Sequence, residues 1–188
     1  RDFVGEEFFA VMLGDDVIFA SPPALWQLME IHEETKGSVV AIMEVPKEEV
    51  SRYGIVTAEE VRPRLWRVEG LVEKPSPSEA PSNLAIIGRY ILSPKVFEIL
   101  QETNPGRGGE IQLTDALNAL CQEEPVYAYA FRGKRFDVGE KLGYMMAQVE
   151  IALGHPEIGK AFKEYLRKLC RTFSPHPDPL PEGERELE

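Results

Sequence analysis

Long apolar runs are absent from this 188-residue sequence. No stretch approaches the roughly 20 consecutive apolar residues that a membrane-spanning helix needs, so we expect no membrane association of that kind. Cysteine is also scarce: Cys121 and Cys170 are the only two, and their separation matches no metal-binding motif. Two reduced thiols in a cytoplasmic protein are the expected interpretation. A disulfide between them is the alternative that the sequence leaves open.

Basic residues are outnumbered, since 21 Lys and Arg face 32 Asp and Glu and the formal net charge is -11. A chain this acidic repels nucleic acid and anionic membrane surfaces, so neither is an expected partner. An anionic substrate would need a local basic residue or a metal ion. The three histidines, His32, His155 and His176, form no metal-binding cluster in the sequence. The nucleophile-elbow pattern G-x-S-x-G and the phosphate-loop pattern G-x-x-x-x-G-K-[ST] are absent too.

Short apolar segments alternate along the chain with helical patterns. Segments 8–13 and 38–45 suit buried strands, the first of them parallel, and 84–92 suits another strand, whereas 64–72 partly alternates and suits a more exposed, antiparallel strand. Gly88 indicates a bulge or a close approach. Helices are predicted over about 22–35, 93–103, 110–123, 140–153 and 158–169. The helix over 110–123 is expected to bury Ile111, Thr114, Ala116, Leu117 and Leu120. This order predicts an α/β fold with a mixed, mainly parallel sheet, whose ligands lie beyond the carboxyl ends of its strands.

Aspartates follow two strand-like segments at positions where their carboxylates could meet. Asp15 and Asp16 follow the strand over 8–13, and Asp137 lies between a strand-like segment and a helix. Mg²⁺ in proteins usually takes one or two carboxylates together with substrate phosphates. An acidic turn explains Asp15 equally well, and a helix cap explains Asp137. Together, on two strand ends, they could face one another across a metal ion.

A charged pair, Glu73 and Lys74, ends the strand over 64–72. A glutamate can accept hydrogen bonds from two sugar hydroxyls, and a lysine ammonium suits a phosphate. The plain alternative is a solvated surface pair before a loop. Gly54 could let a ligand approach the backbone, or it could merely ease a turn.

Six segments, taken in order, carry a resemblance that no single residue carries. They are LGDDVIF at 13–19, RYGIV at 52–56, GLVEKP at 70–75, APSNLAIIGRYILSP at 80–94, GGEIQLTDAL at 108–117 and FDVGEKLGYMMAQVEIAL at 136–153. Over about residues 7–170 the chain resembles the nucleoside-diphosphate-sugar pyrophosphorylases, and within them the bacterial-type UTP–glucose-1-phosphate uridylyltransferases.

The resemblance implies a Rossmann-like nucleotidyltransferase fold and the conversion of UTP and glucose 1-phosphate to UDP-glucose and pyrophosphate. It implies that Asp15 and Asp137 bind Mg²⁺ and that Asp15, Lys74 and Asp137 serve catalysis. Gly54, Glu73, Lys74 and Asn83 would bind substrate, and the segment 110–115 would line or support the pocket. It also implies a homo-oligomer, a dimer or tetramer, for which the helices over 141–169 could supply contacts, unless they pack on the sheet.

One departure from the family is the absence of its Gly-x-Gly-Thr-Arg loop, which cradles the nucleoside triphosphate. We therefore expect residues 1–170 to form a partial, N-terminally truncated nucleotidyltransferase domain that is inactive by itself. Residues 171–188, with four alternating prolines, are expected to be disordered. Two alternatives remain: a sister enzyme that uses dTTP, and a non-catalytic module that binds sugar phosphates.

Overall fold

The structure, a computed structural model, describes residues 2–106 and 109–173. The strands are β1 (Phe9–Met12), β2 (Asp16–Phe19), β3 (Ser38–Glu44), β4 (Gly54–Arg62), β5 (Leu65–Glu73), β6 (Leu84–Leu92), β7 (Val126–Ala130) and β8 (Lys134–Asp137). The α-helices are α1 (Ala24–Thr35), α2 (Val96–Glu102), α3 (Leu113–Glu123), α4 (Lys141–Gly154) and α5 (Gly159–Phe173), and a 3₁₀ helix spans Lys47–Arg52. Residues 174–188 lie outside the described residues, so the disorder expected there stays a prediction.

Six strands form a mixed sheet in the order β1-β6-β3-β7-β5-β4, and β2 pairs with β8 in a separate ribbon. The mixed α/β architecture is thus as predicted. The expected majority of parallel pairings is wrong for the described strands, because only β3 and β7 run parallel. The reason is that β4 and β5 form a hairpin and that β6 runs antiparallel to β1, β3 and β4.

Strand β1 is not the buried parallel strand that its apolar sequence predicts. It lies at the end of the described sheet, pairs antiparallel with β6, and alternates between half-buried and exposed residues. One neighbouring strand covers one side of β1, so its apolar composition alone could not indicate burial. Strands β3 and β6, by contrast, are buried along almost their whole length, which confirms the burial predicted for β3 and adds burial to the strand predicted for β6.

Strand β3 shows why its sequence is almost continuously apolar. Val40 and Ile42 point into one core cluster, which contains residues of α2 and α3. Val39 and Ala41 point into a second cluster on the other face, which contains residues of α1. A strand with both faces buried loses the polar alternation of an exposed strand.

Helix α3 begins later than its sequence pattern predicts. Its first residue is Leu113, so Ile111 precedes the helix and is exposed, contrary to the expected inward position. Ala116, Leu117 and Leu120 are buried against the sheet as predicted. This later start places Thr114 in the first turn of the helix, close to the end of β5.

Helices α4 and α5 belong to a second compact unit that begins at Glu140. Oligomer contacts through these helices stay a prediction. None of the helices within residues 2–106 and 109–173 combines the length and the apolarity that crossing a membrane requires.

Candidate functional site

A cavity of about 400 Å³ opens where the start of β4, the end of β5, the ribbon β2–β8 and the start of α3 meet. Five of the six residues predicted for the site line it: Asp15, Gly54, Glu73, Lys74 and Asp137. These five come from four segments of the chain, and strand pairing brings them together.

The acidic wall of the cavity is built by the ribbon of β2 and β8. Asp16 stands opposite Asp137 in this antiparallel pair, and the backbone N–H of Val138 donates to the carbonyl oxygen of Asp15 at 2.8 Å. A Cβ atom placed on Gly139 would lie 3.3 Å from Asp15 Oδ2 and 3.3 Å from Asp137 Oδ1. The carboxylates of Asp15 and Asp137 therefore converge on one point, as the sequence pattern suggested.

Asp16 is the aspartate of this wall that is buried. One of its carboxylate oxygens accepts the backbone N–H of Gly88 at 2.7 Å, and the other accepts Nε of Arg135. A Cβ atom on residue 88 would lie 2.6 Å from Asp16 Oδ2, so the close approach suggested for Gly88 is confirmed. Asp15 is exposed at the same turn. The Asp15–Asp16 pair thus divides into a solvent-facing carboxylate and a structural one.

Arg135 links the buried Asp16 to the exposed part of the wall. Its Nη2 donates to Asp137 Oδ2 at 3.3 Å, and its Nη1 lies 3.3 Å from the hydroxyl of Tyr53. Burial by itself would lower the pKa of Arg135, but the Asp16 carboxylate and the Tyr53 hydroxyl together outweigh burial and raise that pKa. Arg135 therefore stays cationic and holds both acidic side chains.

A second guanidinium, that of Arg52, lies at the rim. The guanidinium groups of Arg52 and Arg135 lie 5.8 Å and 5.5 Å, respectively, from the centroid of the Tyr53 ring. Both distances are within the range of cation–π attraction. Arg52 Nη2 is also 3.8 Å from Asp137 Oδ2. Asp137 therefore lies between two cations, which offset part of the repulsion from the neighbouring carboxylates.

The opposite wall is formed by the β4–β5 hairpin and α3. Gly54 stands opposite Glu73 in the hairpin, and Thr114 Oγ1 donates to Glu73 Oε2 at 2.6 Å. The ammonium of Lys74 lies 3.5 Å from the other carboxylate oxygen, Oε1. A Cβ atom on residue 54 would lie 2.8 Å from Thr114 Oγ1, so a larger residue there would have to displace the Thr114 side chain. Glu73 is mostly buried, whereas Lys74 is half-exposed.

Tyr90, on β6, contributes a buried phenol to the cavity. Burial raises the pKa of this phenol well above its ordinary value, and the charges of Asp16, Glu73 and Asp15 raise it further. The phenol is therefore neutral at ordinary pH and offers a hydroxyl group rather than a charge.

Asn83, the sixth predicted residue, does not line this cavity. It borders a separate depression of about 360 Å³ with Lys47, Ala80 and Ser82. Its backbone carbonyl accepts the N–H of Val45 at 3.0 Å. A substrate contact for Asn83 stays a prediction.

Several lining residues could not be selected from sequence alone. Arg135 precedes Asp137 by two positions, so strand alternation would place both on one side of β8, but the sequence pattern puts Asp137 after the strand-like segment and not in it. Thr114 is predicted only as an inward residue of a helix and as part of the segment 110–115, and Arg52 belongs to the segment RYGIV, but neither pattern assigns the residue a role at the site. Asp16 was indistinguishable from Asp15, because only pairing with β8 decides which carboxylate is buried.

The family of the chain follows from comparison with known proteins. A family model described as nucleotidyl transferase matches residues 1–153. The chain belongs to the nucleotidyl transferase family. Among its relatives is the UTP–glucose-1-phosphate uridylyltransferase of Streptococcus pneumoniae serotype 4, 48% identical over 179 residues, which cover 93% of this chain and 60% of the relative. The enzyme of the same name from Staphylococcus epidermidis is 44% identical over 169 residues, which cover 90% of this chain and 59% of the relative.

A solved structure agrees with these relatives. The crystal structure of a UDP-glucose pyrophosphorylase complexed with UDP-glucose superposes with a TM-score of 0.75 and 41% identity, and the match covers 89% of this chain and 59% of that one. The nucleotidyltransferase fold and the resemblance to uridylyltransferases are therefore confirmed. The chain spans about three fifths of the length of the curated relatives that it matches.

Proposed function

We propose that this chain carries the sugar-phosphate and metal side of a UTP–glucose-1-phosphate uridylyltransferase site. The full reaction converts UTP and glucose 1-phosphate to UDP-glucose and pyrophosphate. One observation carries the proposal: Gly54, Glu73 and Lys74 line the same cavity as Asp15 and Asp137. A hydroxyl acceptor, a cation and a pair of carboxylates thus lie within one volume of about 400 Å³.

The chemistry of glucose 1-phosphate suits the wall that Glu73 and Lys74 form. The carboxylate of Glu73 can accept hydrogen bonds from neighbouring sugar hydroxyls, and Thr114 already fixes one of its oxygens. The ammonium of Lys74, at the rim beside Glu73, is a compact charge suited to the phosphate. Residue 54 is glycine, so no side chain projects from β4 toward Thr114 and Glu73. The backbone of Gly54 would therefore be accessible to the sugar.

Mg²⁺ is the cofactor that we propose for the acidic wall, with Asp15 and Asp137 as its protein ligands. Within residues 2–106 and 109–173, no cluster of three or more His, Cys, Asp or Glu side chains is arranged to hold a metal ion. A pair of hard oxygen ligands fits Mg²⁺, which is commonly held by one or two carboxylates plus substrate phosphates. When bound, the ion would supply positive charge to the reacting phosphates.

The residues of the chain would act by orientation and charge rather than by proton transfer. The attacking group is a phosphate oxygen, which is largely ionised at neutral pH because its second pKa lies near ~6. No general base is then needed. The barrier arises from bringing two anions into line, so Lys74 would position and neutralise one of them. Arg135 would keep Asp137 in place, since it donates to Oδ2 of that side chain.

Two other functions remain as alternatives. A dTTP-using enzyme would have the same sugar-phosphate side, but the relatives reported above are named for UTP or complexed with UDP-glucose. A non-catalytic module would bind glucose 1-phosphate without needing the carboxylates. Mg²⁺-dependent binding that is lost in Asp15→Asn and Asp137→Asn would favour the enzyme over the module.

Isothermal titration of the chain with glucose 1-phosphate in Mg²⁺ tests the proposal. Lys74→Ala should weaken binding about tenfold or more, as expected for the loss of a charge-assisted contact. Glu102→Ala, an exposed change at the end of α2, is the matched control and should leave the affinity unchanged. Equal affinities for Lys74→Ala and Glu102→Ala would contradict the assignment of this wall.

We further propose a cytoplasmic location and a homo-oligomer, a dimer or tetramer. Cys121 and Cys170 are both free thiols, which suits a reducing compartment. Helix α4 exposes apolar side chains, among them Leu142, Met145 and Met146, that could serve subunit contacts. Sedimentation at several concentrations tests the oligomer.

A further inference from the structure

Helix α3 is fastened to strand β5 by a row of polar contacts, which we call the polar seam. Its three members on the helix, Thr114, Asn118 and Gln122, are four residues apart. The side chain of Asn118 accepts the backbone N–H of Leu71 at 2.9 Å. The side chain of Gln122 donates to the backbone carbonyl of Glu69 at 2.9 Å.

The spacing of the polar seam matches both the helical repeat of α3 and the two-residue repeat of strand β5. Four helical residues rise about 6 Å, and two strand residues rise about 6.6 Å. Contacts at Glu69, Leu71 and Glu73 therefore fall in register with successive turns of α3. Since the first two contacts hold backbone groups, they fix where the helix lies along the strand.

The third contact of the seam differs because it ends on a side chain. Thr114 Oγ1 donates to Glu73 Oε2 at 2.6 Å, a short bond to a carboxylate that is mostly buried. The threonine is also packed in place: a Cβ atom on Gly54 would lie 2.8 Å from its hydroxyl oxygen and 3.1 Å from its methyl carbon. The polar seam and this packing together restrict the hydroxyl of Thr114 to a single position beside Glu73.

We propose that Thr114 is a positioning residue that fixes the carboxylate of Glu73 for recognition of sugar hydroxyls. Its hydrogen bond occupies Oε2 and so directs Oε1 toward the cavity, on the side of Lys74. A carboxylate that could rotate freely would lose orientation each time a sugar bound, and this loss would reduce both affinity and discrimination among sugars. The inference rests on the proposed function, since it assumes that Glu73 faces the sugar.

Thr114→Val tests the inference, because valine keeps the shape of threonine and removes the hydroxyl. Thr114→Ser keeps the hydroxyl and removes the methyl group. We expect Thr114→Val to weaken glucose 1-phosphate binding about five- to twentyfold and Thr114→Ser to weaken it less than threefold. Thr114→Ala, which avoids a new branched group, should resemble Thr114→Val if valine lowers the yield of folded protein.

Sugar analogues separate positioning from a general loss of structure. Titrations with 2-deoxyglucose 1-phosphate and 3-deoxyglucose 1-phosphate report what each hydroxyl contributes. In the wild type, the removal of a hydroxyl that Glu73 accepts should weaken binding strongly. In Thr114→Val the same removal should matter several-fold less, because the acceptor is no longer oriented. Asn118→Ala, the seam control, should lower Tm yet leave the ratio between glucose and deoxyglucose phosphates as in the wild type.

Each outcome decides a different point. A wild-type affinity in Thr114→Val would overturn the inference while leaving the proposed function standing. Equal losses in Thr114→Ser and Thr114→Val would also overturn it, because the methyl group rather than the hydroxyl would then matter. An Asn118→Ala variant that loses sugar discrimination would overturn it as well, because a general loosening of α3, and not the loss of the Thr114 hydroxyl, would then explain the effect. Absence of glucose 1-phosphate binding in the wild type would refute the proposed function, and the inference with it.

Discussion

The buried ion pair between Arg135 and Asp16 should be the most stability-sensitive feature of the site. The two side chains are only 11% and 6% exposed, and Asp16 has one further donor, the N–H of Gly88. Removing one partner of a buried pair leaves an uncompensated charge and typically destabilises by about 3–5 kcal/mol. We therefore expect Arg135→Met to lower the free energy of unfolding by about 3–5 kcal/mol.

The reverse change should be milder. Asp16→Asn leaves an amide oxygen that can still accept from Gly88, and it leaves Arg135 beside Asp137 and Tyr53. A loss of about 1–3 kcal/mol is expected, as for a weakened buried hydrogen bond. The double variant Arg135→Met with Asp16→Asn should be more stable than Arg135→Met alone, because no charge is then left uncompensated.

Urea unfolding, followed by tryptophan fluorescence, measures these differences. Both tryptophans, Trp26 and Trp66, lie in the unit that contains the site. For a urea m-value of about 2 kcal/mol/M, a loss of about 3–5 kcal/mol moves the midpoint by roughly 1.5–2.5 M. Arg62→Met is the matched control, since it breaks an ion pair with Glu34 at 2.6 Å whose side chains are 42% and 56% exposed.

Exposed pairs contribute about 0–1 kcal/mol, so Arg62→Met should shift the midpoint little. If Arg135→Met and Arg62→Met destabilise the protein equally, the argument from burial is refuted. A double variant no more stable than Arg135→Met would refute the argument from uncompensated charge.

Three further predictions concern single groups and the chain as a whole. Gly54→Ala should weaken glucose 1-phosphate binding and lower the free energy of unfolding by about 1–3 kcal/mol, because the new methyl group meets Thr114. Calorimetry measures the affinity and urea unfolding measures the stability. An unchanged affinity would contradict the close packing. Tyr90 should make the protein less stable above about pH 10, because the phenol then ionises in the unfolded chain but stays protonated, with its raised pKa, in the folded one. The slope is about 1.4 kcal/mol per pH unit, and Tyr90→Phe should remove that component from unfolding curves. Residues 1–188 alone should release no pyrophosphate from UTP and glucose 1-phosphate, since no Gly-x-Gly-Thr-Arg loop occurs in them; sustained release would contradict this.

Local patterns predicted the elements of the fold better than their pairing. The continuous apolar run of β3 and the apolar spacing of α1 are sufficient to predict a strand and a helix, because each pattern follows from the residues that the element buries. The direction of β1 and the ribbon of β2 and β8 depend on strands distant in sequence. The sequence of a short segment does not indicate which strand it pairs with or in which direction. The observed sheet therefore has fewer parallel pairings than predicted.

The same division applies to the site. Gly54, Glu73 and Lys74 were selected through a resemblance, and the β4–β5 hairpin explains why Gly54 and Glu73, 19 positions apart, face each other. The support of these residues was not predictable. Thr114 reaches Glu73 only because α3 lies in register along β5, and Arg135 reaches Asp16 only because β8 pairs with β2.

The central claim is that the cavity between the β2–β8 ribbon and the β4–β5 hairpin binds glucose 1-phosphate. Nuclear magnetic resonance of the ¹⁵N-labelled chain, titrated with glucose 1-phosphate in Mg²⁺, tests this claim most directly. We predict saturable shifts of the backbone amides of Gly54, Glu73, Lys74 and Thr114. No saturable shift, or shifts confined to the depression beside Asn83 with none at Gly54 or Lys74, would contradict the claim.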